Sequence, residues 1–113
     1  MTKEPIVFIE HILKNIESIE SSLKHIQMEV FLKNTDLSDA IIRRLEIISE
    51  ATKNIPLSFR KKYSYVEWQK IAGLRDKLIH HYFGVDLESI WKVVKDDLPK
   101  LKENIKKIIK QEK

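Results

Sequence analysis

The sequence predicts an all-α protein, an up-and-down bundle of four or five helices forming a single domain over residues 1–113. Three observations carry this expectation. Isoleucine, leucine and valine recur at spacings of three and four along most of the chain, the signature of helices with one apolar face. Only two Gly and three Pro occur in 113 residues, too little turn chemistry for the many hairpins of a sandwich or barrel. Finally, 42% hydrophobic and 34% charged residues suit a core beneath a charged surface, whereas disorder requires fewer apolar residues. The length matches one domain.

Each element can be justified in turn. From Pro5 to about Phe31 the apolar stripe Ile9, Ile12, Ile16, Ile19, Leu23, Ile26 and Val30 predicts one long amphipathic helix with a heptad seam. Pro5 suits its first turn, where the missing N–H is not needed. Asn34-Thr35-Asp36 supplies loop and capping chemistry for a second helix over about 37–53, with stripe Leu37, Ile41, Leu45 and Ile48 widened by Ala40, Ile47 and Ala51. Residues 54–63, with Pro56 and the basic run Arg60-Lys61-Lys62, read as a connector with room for a helical turn. Ser64 stands three residues before Glu67, a capping-box pattern opening a third helix whose buried face is Trp68, Ile71, Ala72, Leu78 and Ile79. Gly84 fits its end, and Asp86 caps a fourth helix with stripe Ile90, Trp91 and Val94. The same phase continues through Leu98, Leu101, Ile105 and Ile108, so the helix restarts or kinks at Pro99. The seams 9–30 and 90–108 are long for so small a domain and predict packing against a second copy, a homodimer.

Several function classes are excluded. With no Cys there is no disulfide, thiolate catalysis or cysteine-ligated metal site. His80-His81 lacks the spacing by which one helix presents two metal ligands, and His11 and His25 are remote in sequence, so neither a metal nor a cofactor is expected. No apolar run approaches the roughly 18 residues of a membrane span, and the N-terminus carries no signal-peptide pattern, so a cytoplasmic protein without membrane contact is expected. Trp68 and Trp91 sit on apolar stripes and read as core rather than base-stacking platforms. The formal net charge is +4. Residues 100–113 hold six Lys and two Glu, so the whole excess sits at the C-terminal end, either a contact for an RNA backbone or a solubilising face.

The third helix carries an anomaly. Arg75 falls four residues after Ile71 and three before Leu78, placing a guanidinium within the apolar stripe. Two readings stand: it is structural, its stem passing the core to a surface acid or its head pairing with Glu46 or Glu50 of the second helix, or it serves a site. His80 lies about 140° away from Arg75 around the helix and shares a stripe with Asp76 as an i,i+4 pair, while Tyr82 lies two turns beyond Arg75 on nearly the same face. Arg, Asp, His and Tyr within eight residues form a set able to bind a phosphate and move a proton.

The stretch Gly73-Leu74-Arg75-Asp76-Lys77-Leu78-Ile79-His80-His81-Tyr82 resembles the Arg-x4-His signature of the HEPN superfamily, in the narrower Arg-x4-His-x-Tyr form of HepT toxins. Arg44-Leu45-Glu46-Ile47-Ile48-Ser49-Glu50-Ala51 and Trp68-Gln69-Lys70-Ile71-Ala72-Gly73 are similar to the segments that precede that motif. Val85-Asp86, Ile90-Trp91 and Asp97-Leu98-Pro99 resemble its C-terminal pattern, so the resemblance covers nearly the whole chain. Ser49 departs from a frequent Gly, and Asp76 from a frequent Asn whose replacement by an acid bears on the titration of His80. The resemblance implies a HEPN-like bundle and a metal-independent endoribonuclease that is the toxin of a HepT/MntA-type toxin–antitoxin pair. It assigns His80 as acid/base group, Arg75 as phosphate ligand and Asp76 as supporting residue, with two motifs meeting across a homodimer. It further implies that an MntA-type nucleotidyltransferase antitoxin silences the enzyme by transferring AMP to Tyr82. The alternatives are a non-catalytic helical module that binds nucleotide or docks onto a nucleotidyltransferase, and a structural bundle in which Arg75 is salt-bridged.

Overall fold

The computed structural model describes residues 4–81 and 86–113, with side chains except those of residues 79–81. It is all-α, and no strand occurs among the described residues. The order is α1 (Pro5–Leu23), α2 (Met28–Lys33), α3 (Thr35–Lys53), α4 (Leu57–Lys62), α5 (Trp68–Ala72), α6 (Leu74–His81), α7 (Leu87–Lys92), a π-helical turn (Val93–Asp97) and α8 (Leu98–Glu112). The long elements run up and down. Lys113 and Lys102 of the C-terminal segment meet Glu10 and Glu20 of α1, so α8 lies antiparallel to α1. On its other side α1 packs against α3, which in turn carries α5 and α6.

The periodic stripes form the core. Ile9, Ile12, Ile16 and Ile19 of α1, Ile41, Leu45 and Ile48 of α3, and Ile105 and Ile108 of α8 are all fully buried. Removing any one of these side chains would leave a cavity costing about 2–5 kcal/mol. Trp68 joins the core and its indole Nε1 donates to the carbonyl of Tyr63 at 2.9 Å, as expected of a structural tryptophan. Trp91 is half-buried with its ring centroid 5.3 Å from that of Phe31, tying α7 to α2.

Four sequence expectations are corrected. The helix expected over 5–31 breaks after Leu23, where His25 adopts a left-handed φ of 65°, and α2 then carries Val30 outward at 49% exposure. Histidine tolerates that conformation better than most residues, so the break needs no Gly or Pro to announce it. Ala40, expected to widen the second stripe, is exposed. The Ser64/Glu67 capping box does not form: Glu67 is the N-cap of α5 and its side chain makes no capping bond. The third helix is divided at Gly73, where a Cβ would stand 3.2 Å from the Gln69 carbonyl, tighter than side chains normally pack. The expected helix stop at Gly84 lies outside the described residues. The kink anticipated at Pro99 is present as a π-turn just before it, leaving Pro99 in the first turn of α8.

Candidate functional site

Arg75 opens the first turn of α6, directly after the Gly73 break. Ser49 fixes that break from α3: its hydroxyl, 1% exposed, donates to the Ala72 carbonyl at 2.8 Å. The carbonyl would otherwise be left unsatisfied where α5 ends. A residue whose hydroxyl could be taken for a packing detail thus sets where α6 begins.

Arg75 is exposed, which corrects its placement inside the apolar stripe. Leu74, overlooked in the stripe, is buried with Ile71 and Leu78, and these three rotate the inward face so that Arg75 borders it. No acid lies within ion-pair distance of Arg75 among the described residues, so the expected salt bridge to Glu46 or Glu50 is not made. All three side chains nevertheless line one groove of about 500 Å³. Its walls are Phe8 and His11 of α1, then Arg43, Glu46, Ile47, Glu50 and Ala51 of α3, with Asn54 beyond its end. Arg43 bonds Glu46 across 3.6 Å. A guanidinium with a free planar fork in such a groove can grip a phosphate bidentately.

Asp76, the next residue of α6, is exposed. His80 belongs to α6, its side chain lying outside the described set, so its pairing with Asp76 and its approach to Arg75 lie outside it as well. Tyr82 lies outside the described residues. Sequence reasoning missed His11 and Arg43 as groove members, because tertiary packing of α1 on α3 alone brings them to Arg75. The connector's basic run also does more than link: Arg60 caps the end of α3, donating to the carbonyls of Ile55 at 3.0 Å and Thr52 at 2.9 Å. The lysines of α8 do not line the groove. Lys102 and Lys113 are engaged by Glu20 and Glu10, and Lys107 by Glu103. Among the described residues no cluster of His, Asp or Glu could hold a metal, and no helix is long and apolar enough to cross a membrane.

Fold and groove place the chain in the class of small all-α proteins that present charged side chains between bundle helices. Comparison with known proteins narrows that class. A family model described as "Ribonuclease HepT-like" matches residues 12–108. A "Gamma-glutamylcyclotransferase and putative RNase" of Methanocaldococcus jannaschii is 49% identical over 98% of this chain and 50% of its own length. A "Putative RNase" of Caldanaerobacter subterraneus is 46% identical over 98% of this chain and 99% of its own. A "Probable ribonuclease HepT" of Thermococcus cleftensis is 46% identical over 91% and 94%. This chain therefore spans half of the first relative and nearly all of the other two. No solved structure matches it significantly. The chain belongs to the HepT-like ribonuclease family.

Proposed function

We propose that the protein is a metal-independent endoribonuclease acting as the toxin of a HepT/MntA-type toxin–antitoxin pair. The observation that carries the reading is Arg75, exposed in a groove and without an acidic partner among the described residues, in a chain of this family. An exposed guanidinium keeps its charge and its planar fork available to a phosphate.

In the proposed reaction the ribose 2′-oxygen attacks the adjacent phosphorus and the bond to the 5′-oxygen breaks. The products are a 2′,3′-cyclic phosphate and a 5′-hydroxyl. His80 takes the proton from the 2′-hydroxyl or delivers one to the leaving oxygen. Arg75 binds the phosphate and offsets charge developing on its non-bridging oxygens. Asp76 orients or tunes the pair. A spacing of five residues amounts to about 140° of helix, so the motif's spacing alone does not bring its arginine and histidine to one side. A homodimer placing two motifs at one cleft removes that difficulty.

Silencing is proposed to come from a cognate MntA-type nucleotidyltransferase. It would transfer AMP from a nucleoside triphosphate to the Tyr82 hydroxyl, with pyrophosphate leaving. A phosphodiester there would compete for Arg75 and add negative charge beside the substrate path. The test is cleavage of RNA in the presence of a chelator by wild type, Arg75→Ala and His80→Ala. Wild type is expected to cut, and each variant to lose at least about a hundredfold. Equal cleavage by all three would refute the assignment. Intact mass after co-expression with the antitoxin tests Tyr82, with added AMP in wild type and none in Tyr82→Phe as the expected result.

A further inference from the structure

The groove holds more than a phosphate ligand requires. Its volume of about 500 Å³ suits a bound nucleotide. Ile47 and Ala51 give it an apolar wall on which a base can lie. Of its two acids, Glu46 is engaged by Arg43 at 3.6 Å. Glu50 is exposed and has no cation within ion-pair distance among the described residues. Its main-chain carbonyl is occupied by the Asn54 side-chain amide at 2.9 Å, but its carboxylate has no partner among the described residues.

A bare carboxylate beside the path of a polyanion repels it unless the substrate brings a donor. Among the RNA bases only guanine presents two adjacent N–H donors, N1–H and the N2 amine, matched to the two oxygens of one carboxylate. We propose that Glu50 is a specificity-determining residue that reads a guanine seated in this groove beside the phosphate held by Arg75. The placement of the phosphate rests on the ribonuclease reading above; the base preference is a separate property and can be measured without turnover.

The experiment titrates the full chain, in chelator, with the 3′-monophosphates of guanosine, adenosine, cytidine and uridine, followed by calorimetry. Guanosine 3′-monophosphate is expected to bind at least about tenfold more tightly than the others. Glu50→Gln, whose amide cannot accept at both positions, is expected to erase that preference with an unchanged thermal midpoint. Arg75→Ala is expected to weaken all four alike. Equal binding of the four, no binding, or a guanine preference surviving Glu50→Gln would each overturn the proposal. Guanine-selective binding without RNA cleavage would refute the ribonuclease reading alone. Cleavage without guanine-selective binding would refute this inference alone.

Discussion

Ser49 shows how one hydroxyl can govern a site it does not touch. Its bond to the Ala72 carbonyl crosses from α3 to the α5–α6 junction, three residues before Arg75. Ser49→Ala would leave that half-buried carbonyl without its protein partner and is expected to cost about 1 kcal/mol, read as a lower urea midpoint. Legibility at this scale was uneven. Arg75 stood out because a guanidinium near an apolar stripe is costly to bury, yet its exposure depends on Leu74, which sequence reading passed over. Ser49 left no local signal, since a serine within a helix usually faces solvent or its own backbone.

At the scale of elements, apolar periodicity located the buried faces of α1, α3 and α8 because burial dictates that spacing directly. Breaks were harder, because they depend on partners far away in sequence. The end of α3 is held by Arg60, which reaches back from α4 to the carbonyls of Thr52, Lys53 and Ile55. Arg60→Ala is expected to destabilise by about 1–3 kcal/mol, with hydrogen exchange accelerating first at the α3–α4 junction. The π-turn left no distinguishing mark: Ile90, Val94 and Leu98 are spaced by two consecutive fours, but so are Leu37, Ile41 and Leu45 in α3, which stays α-helical.

Across the whole molecule, which measures 41 × 28 × 26 Å, part of the C-terminal charge excess is connective. Of the six lysines there, Lys102 and Lys113 fasten the C-terminal segment to α1, while Glu112 near the end of α8 accepts from the Tyr63 hydroxyl and from Lys62 at 2.9 Å. The Tyr63 hydrogen bond, and then Lys62, hold the Glu112 carboxyl below its ordinary 4.5. The same contacts push Lys62 and the Tyr63 hydroxyl above their ordinary values, chiefly through hydrogen bonding to Glu112. A lowered carboxyl contributes stability above its unfolded value that is lost as pH falls through the folded one. A raised phenol or amine contributes below its unfolded value and loses that contribution as pH rises through the folded one. Glu112→Gln is therefore expected to lower the thermal midpoint by a constant amount between about pH 5.5 and 9, with the difference from wild type shrinking as pH falls below the ordinary 4.5 and the carboxylate takes up its proton. A deficit that does not shrink as pH is lowered from there would contradict this account.

The π-turn between α7 and α8 also makes chain length part of the folding code. Substitutions at exposed Lys95 or Asp96 leave the register intact. Deleting one of them would let the wide turn tighten to an ordinary α-helical one, which sweeps nearly the same angle with one residue fewer, so α7 and α8 would keep their phase. Deleting both leaves no wider turn to close and would rotate α7 against α8 by about 100°, pulling Ile90 out of the core and Trp91 away from Phe31. The expected result is cooperative thermal unfolding in the single deletion and its loss in the double one. Between these two helices the protein carries one spare residue.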